Sequence, residues 1–370
     1  PNACISPGWC DLLANFCDPG LEQKEDLFTG AAAAQKGGFT AVAQIPDTKP
    51  ALHSKSEIEY ILNKSKGLPI AIHPIGAITR DLAGKELTEI YDMYAAGACA
   101  FSDAPKPVAD AGMMLRSLLY VKPFGGVIFS MADEKSISLD GSLNEGIAST
   151  QMGTRGIPSV AEEVMVARDI FLSEHTGSRV HFAAISTAKS VALIRKAKQK
   201  GIAVTAAVPA YHLLLDDSSL TEYDSNYKVN PPLRTKADQE VLKEGVLDGT
   251  IDAVCSHHCP HEQDAKKLEL EYAAFGMETL ETTFSMFKTA FDSKISDAQI
   301  VEKLCIQPRK ILGLAIPKIE VGQKADLTIF NPTQEWTVTK DAIYSKSTNT
   351  PFIGKTLKGK VIRTIHPNHF

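Results

Sequence analysis

Nine residues late in the chain, AVCSHHCPH from Ala253 to His261, carry two cysteines and three histidines. Thiolates and imidazoles are the ligands that zinc prefers, so the stretch invites a reading as a metal site. Its spacing argues otherwise. Cys255 and Cys259 stand four apart with no second ligand pair at a zinc-site separation. If the stretch is a strand, Cys255 and His257 point one way while Ser256 and His258 point the other. Only part of the cluster can then converge, and a metal-free group of hydrogen-bonded imidazoles is the favoured reading. Asp103, in FSDAPKP, is the other candidate for chemistry. A carboxylate buried at the end of an apolar run without a cation nearby is expected to have a raised pKa. Asp18, before Pro19 and Gly20, reads as a turn-former. His73 and His212 read as packed or surface residues, and His53, His175, His366 and His369 as solvent-exposed.

The elements that must position these groups are short apolar runs alternating with helical segments. The runs are ISPGWCDLLA, FTAVAQIP, PIAIHPIGAI, ACAFSD, GGVIFSMA, RVHFAAIS, IAVTAAVPA and IDAVCSH. Between them lie amphipathic stretches such as SKSEIEYILNKSKG, SVAEEVMVARDIFLSEHTG and TKADQEVLKEGVLDG, most ending in a glycine suited to a helix C-cap. Strands without polar alternation, each followed by a helix, imply parallel strands buried on both faces. Eight of them favour a (β/α)8 barrel over 1–317, with catalytic groups at the C-terminal strand ends. An open doubly wound sheet is the alternative, but no GxGxxG follows the first run. From about Lys318 the texture becomes β-rich and turn-punctuated (GQKADLTIFNP, EWTVT, GKTLKGKVIRTI), predicting strands of a small appended β-sandwich over 318–370.

The chain has 370 residues, 44% of them hydrophobic, and a net charge of -5. No basic block suggests nucleic acid, no apolar run approaches a membrane span, and the N-terminus lacks a signal pattern. Seven scattered cysteines suit reduced, buried thiols in a cytoplasmic protein.

Several longer stretches resemble the dihydroorotases, a family of cyclic amidohydrolases. They include DPG after the first strand, GGFTAVAQIPDTKP, NEGIAS, GIPSVAEEVMVARDI, TAKSVALIRKAK, YKVNPPLR, FGMETLETTF and GQKADLTIFNP. KVNPPLR together with the Gly276–Thr282 turn is the narrowest of these signatures. The resemblance implies an amidohydrolase barrel with a small β-sandwich built from both chain ends. The N-terminal sandwich strands are expected to be absent from this sequence, and His181 to line the pocket. The implied activity is hydrolysis or closure of the cyclic amide of dihydroorotate in pyrimidine biosynthesis. Zinc would activate the water and polarise the carbonyl.

Position by position, the residues depart from what the resemblance implies. The first-strand His-x-His corresponds to Leu13-Ala14-Asn15, and the substrate-gripping arginine beyond it to Cys17. The strand-two asparagine is Asp47, while the histidines of strands five and six fall at Met131 and Ala184. The catalytic aspartate of strand eight falls at His257. Asp103 and His257 remain as catalytic candidates, and Asp47, Asn230 and His261 as substrate contacts. Leucine, methionine and alanine give zinc no useful donor, so no metal and no cofactor is predicted. Two readings stay open. One is an impaired or inactive dihydroorotase-like protein with a structural or regulatory role, with aspartate transcarbamoylase as partner by analogy and a homodimer as default. The other is a working dihydroorotase, or another cyclic-amide hydrolase, with a rebuilt site and a small-molecule substrate such as dihydroorotate.

Overall fold

The computed structural model describes residues 2–220 and 222–367; His369 lies outside them. In chain order the strands are β1 (Cys4–Pro7), β2 (Trp9–Ala14), β3 (Phe39–Gln44), β4 (Ala71–Gly76), β5 (Ala100–Phe101) and β6 (Val127–Ser130). There follow β7 (Leu143–Asn144), β8 (Gly156–Ile157), β9 (Arg179–Phe182), β10 (Val204–Pro209), β11 (Ala253–Cys255), β12 (Leu327–Thr337) and β13 (Thr356–Ile365). Eight of them pair in parallel in the order β2-β3-β4-β5-β6-β9-β10-β11, one from each of the eight apolar runs. The last and first strands meet through a bridge between Ala14 and His258, so the sheet is a nearly closed barrel.

That seam is held by a side chain. Asp11 is fully buried, and its carboxylate accepts from the Ser256 amide (2.6 Å), the Ser256 hydroxyl (2.7 Å) and the Leu13 amide (3.2 Å). It supplies acceptors where the β2–β11 ladder is too short to do so.

The helices stand where the apolar periodicity places them, and their ends are capped by polar side chains. Asp26 accepts from the Phe28 and Thr29 amides at the start of Leu27–Lys36, and Asp110, Thr187 and Thr235 cap three others. Gly97, Gly177 and Gly249 end helices in the left-handed region, as the sequence predicts. Two apolar layers result. One fills the barrel interior with small side chains such as Ala41, Ala43, Ala100, Ala183, Ala207 and Ala253. The other packs helices against the outer strand faces.

The small sheet is three-stranded, in the order β1-β12-β13. A division at 317/318 therefore leaves out part of it: Cys4–Pro7, assigned to the barrel, pairs antiparallel with β12. An N-terminal strand of this sheet is thus present, against expectation. The two stretches TIFNP and EWTVT also form one strand, interrupted by an irregularity between Asn331 and Glu335. Trp9 joins sheet to barrel, with its ring 4.9 Å from Phe284 and 5.2 Å from Phe330.

Candidate functional site

The C-terminal ends of the barrel strands gather most of the residues singled out from the sequence. Leu13, Met131 and Ala184 are buried there, at 1%, 6% and 3% exposure, and share one apolar cluster with Ile45 and Ala104. Beside them, Asn15 donates to Asp47 (3.1 Å) and accepts from the Cys17 amide (2.9 Å). Cys17 is buried with a left-handed backbone (φ 60°), a conformation uncommon outside glycine. Burial pushes the Asp47 carboxyl up, opposed by Lys24 and by the Asn15 hydrogen bond.

Asp103 does not face this mouth. Its carboxylate accepts from the Ile78 and Thr79 amides, both at 2.9 Å, and from the Thr79 hydroxyl. The next residue, Ala104, packs into the mouth cluster instead. Asp103 thus serves as a backbone cap between neighbouring strand ends, because successive side chains at a strand end diverge. Its pKa is raised, burial being the main cause, as anticipated.

His257 does not continue the strand. It takes a left-handed backbone (φ 48°), so the alternation expected of the cluster stops at Cys255. Its Nδ1 lies 2.8 Å from the Tyr211 hydroxyl. Burial lowers the imidazole to about 4 and raises the Tyr211 phenol well above its usual value. Near neutral pH a protonated phenol and a neutral imidazole therefore share one hydrogen bond. His261 is likewise neutral, lowered to about 4 by burial and by Lys24, with Nε2 2.9 Å from the Phe275 carbonyl. Asn230 donates to Asp133 (3.3 Å), which pairs with Lys135. Asn230 and Lys135 line a cavity of about 240 Å³.

His258 lies fully buried among carboxylates. Its Nε2 is 3.5 Å from Glu25 and its Nδ1 3.9 Å from Glu278, while Nδ1 accepts from the Thr279 amide (3.3 Å). Burial alone would raise Glu25, but His258, Ser345 and Thr29 outweigh it and hold that carboxylate low. Glu278 goes the other way, raised well above the usual range by burial and by Glu281. Tyr211, Asp133 and Lys135 were not singled out from sequence; VPAYH and FSMADE end strands seven and five and could have pointed to them.

Other expectations are corrected. Asp18 is no simple turn-former: fully buried, it pairs with Lys64 at 2.8 Å and accepts from Tyr60. His366 is buried rather than exposed, and His53 is partly buried against Asp81 (3.1 Å). His181 is fully buried inside the barrel, with Nδ1 2.9 Å from the Thr205 hydroxyl and its ring against Phe129. All seven cysteines are free.

The model of the dihydro-orotase-like family matches residues 3–190. The dihydroorotase of Pelotomaculum thermopropionicum is 44% identical over 365 residues, covering 98% of this chain and 85% of that protein. The chain belongs to the dihydroorotase-like family. The dihydroorotase of a Thermoanaerobacter species is 43% identical over the same share of the chain and 84% of its own. Among solved structures, the L-hydantoinase (dihydropyrimidinase) of Arthrobacter aurescens superposes with a TM-score of 0.86 over 99% of this chain and 86% of that one. At 22% identity this likeness concerns the fold.

In this dihydroorotase-like chain the strand ends do not fit the zinc that the resemblance implies. Leu13, Met131, Ala184 and Ala104 meet in an apolar cluster, Asp103 is committed to backbone amides, and His257 turns to Tyr211. Among the described residues, no group of three or more His, Cys, Asp or Glu side chains is disposed to hold a metal ion. KVNPPLR and the Gly276 turn pack together: the Gly276 amide donates to the Lys228 carbonyl (2.9 Å). A Cβ on Gly276, at φ +144°, would come within 2.7 Å of the Cys259 carbonyl oxygen. Arg234 is buried and ties Asn144 (2.9 Å), the Ile157 carbonyl (2.6 Å) and Ser186 (3.1 Å) into one network. Gly276 and Arg234 thus fix the loops around the mouth.

Proposed function

We propose that this dihydroorotase-like protein serves pyrimidine biosynthesis without carrying out the hydrolysis, as a structural or regulatory subunit. The observation that carries this reading is that Leu13, Met131, Ala184 and Ala104, at the strand ends, are buried members of one apolar cluster. An amide carbonyl needs strong polarisation and water needs deprotonation, and these side chains supply neither. The carboxylate of an anionic substrate would meet buried Cys17 in place of a bidentate cation, with Asp47 beside it. Aspartate transcarbamoylase, the preceding enzyme of the pathway, is the partner this reading names, by analogy with scaffolding roles of inactive members of the family.

A second reading keeps a working cyclic-amide hydrolase. Asp47 and His261 favour it, both partly exposed and both acted on by the Lys24 charge. In it Asn230 would also contact substrate and His257 would be the base.

One experiment separates the two. The protein is purified without chelators, its metal content measured, and dihydroorotate hydrolysis assayed with and without added Zn²⁺. The first reading expects substoichiometric metal and no turnover above background, with co-purification of a transcarbamoylase supporting its partner. Stoichiometric metal with turnover at ordinary enzyme rates would establish the second.

A further inference from the structure

On the small-sheet side of the molecule, a cavity of about 280 Å³ opens where the end of the helix Leu27–Lys36 meets strands β12 and β13. Its charged lining is Lys36, Lys360 and Glu281, with Trp336, Thr337 and Thr339 beside them. Glu281 is only 5% exposed, and its Oε1 accepts from the Tyr344 amide (2.7 Å) and the Ser345 amide (3.1 Å). Glu278, fully buried next to it, is raised well above the usual range by burial and by the Glu281 charge. The negative charge of the two therefore rests on Glu281. The Lys360 ammonium stands over the Trp336 ring, 5.8 Å from its centroid. That ring is fixed by its Nε1, which donates to the Gly359 carbonyl (2.9 Å) and the Ser285 hydroxyl (3.0 Å). The Lys36 ammonium stands over Tyr344 in the same manner, at 5.3 Å. Both ammonium groups thus lie on aromatic faces and not on a carboxylate, and Glu281 lies on backbone amides and not on a cation.

Opposite charges lining one small space gain by closing on each other, and here they are held apart. We propose that this cavity binds an acidic α-amino acid, aspartate or glutamate, with its ammonium on Glu281 and its carboxylates on Lys36 and Lys360. The charges match. Two lysines and one glutamate give the lining a net charge of +1, and the ligand, with two carboxylates and one ammonium, carries the complement. The size matches too, since the cavity falls just below the ~300 Å³ at which sites for drug-sized molecules begin. A carboxylate has acceptor sites beyond the two amides that Glu281 already takes. In so dry a place an ammonium would make a strong charge-assisted hydrogen bond to it. A dicarboxylate lacking the ammonium would face Glu281 with like charge, and a simple zwitterion would leave one lysine unanswered. Thr337 and Thr339 add hydroxyl donors for the remaining carboxylate oxygens. The inference stands apart from the reading of the barrel mouth, to which none of these residues belongs.

The test is isothermal titration calorimetry of the full chain with L-aspartate, L-glutamate, succinate and L-alanine. The expected result is saturable one-to-one binding of at least one acidic amino acid, with succinate and L-alanine at least tenfold weaker. Lys36→Ala and Lys360→Ala should each raise the dissociation constant at least tenfold while circular dichroism and melting stay unchanged. Lys340→Ala, at an exposed position outside the lining, should bind as the wild type does. Glu281→Gln should remove the preference over succinate. Should that buried substitution unsettle the fold, the two lysine variants carry the test alone. No saturable heat from either acidic amino acid at millimolar concentration would overturn the proposal. Binding indifferent to both lysine variants, or matched by succinate, would overturn it as well.

Discussion

A histidine placed at Leu13 or Met131 would enter the apolar cluster that these residues share with Ile45, Ala104 and Ala184. Restoring one ligand type at a time is therefore expected to destabilise. Leu13→His and Met131→His should each cost about 2 kcal/mol through an unpaired buried imidazole, read from denaturant unfolding. Added Zn²⁺ should not recover the loss, since one imidazole among leucine-like neighbours is far from a coordination shell. Much of this site was legible in the sequence, because Leu13, Met131, Ala184 and Cys17 sit at positions fixed by strand ends and nearby motifs. Asp103 was not. Whether a carboxylate at a strand end faces the mouth or the neighbouring strand depends on one residue of register, and Ala104 holds the inward position. The same limit applies to His257, whose left-handed backbone no residue pattern announced.

At the scale of the element, the strands and helices followed from periodicity, glycine C-caps and polar N-caps, all local signals. Contacts distant in sequence did not. Cys4–Pro7 pairs with β12 more than 300 residues away, and an apolar run broken by Pro7-Gly8 reads naturally as one barrel strand rather than two strands of different sheets. The seam carboxylate Asp11 was equally hidden, since an aspartate inside an apolar run signals no partner. Its removal gives a sharp test. Asp11→Ala would leave the Ser256 amide without its acceptor, and the Ser256 hydroxyl with only the longer contact to the Leu13 carbonyl (3.4 Å), in a fully buried place. The expected loss is about 3 kcal/mol, measured by chemical denaturation. Hydrogen exchange should accelerate first in β2 and β11, which meet at that seam.

For the molecule as a whole, buried imidazoles set the acid limit. His181 and His212 are lowered to about 3, and His73, His257 and His261 to about 4, burial being the leading cause in each. Each is neutral in the fold but protonates near 6.5 once unfolded, so the unfolded chain binds more protons across that interval. The imidazoles' contribution to stability is then fully present above about pH 6.5 and declines as pH falls toward 4, opposed by buried carboxyls such as Glu278 and Asp11, whose raised pKa values act with the opposite sign. Melting temperatures between pH 4 and 8 should fall less steeply toward acid in His73→Gln than in the parent chain, and an unchanged slope would contradict it. Among the described residues, no helix is long and apolar enough to cross a membrane. The apolar mouth has one more consequence, for how this barrel tolerates change. Catalytic sites usually hold charged groups in places the fold would not choose, and stability suffers for it. Here the top layer of side chains is continuous with the hydrophobic interior. Mutational scanning at positions 13, 131 and 184 should therefore rank substitutions by volume and hydrophobicity, as at any core position.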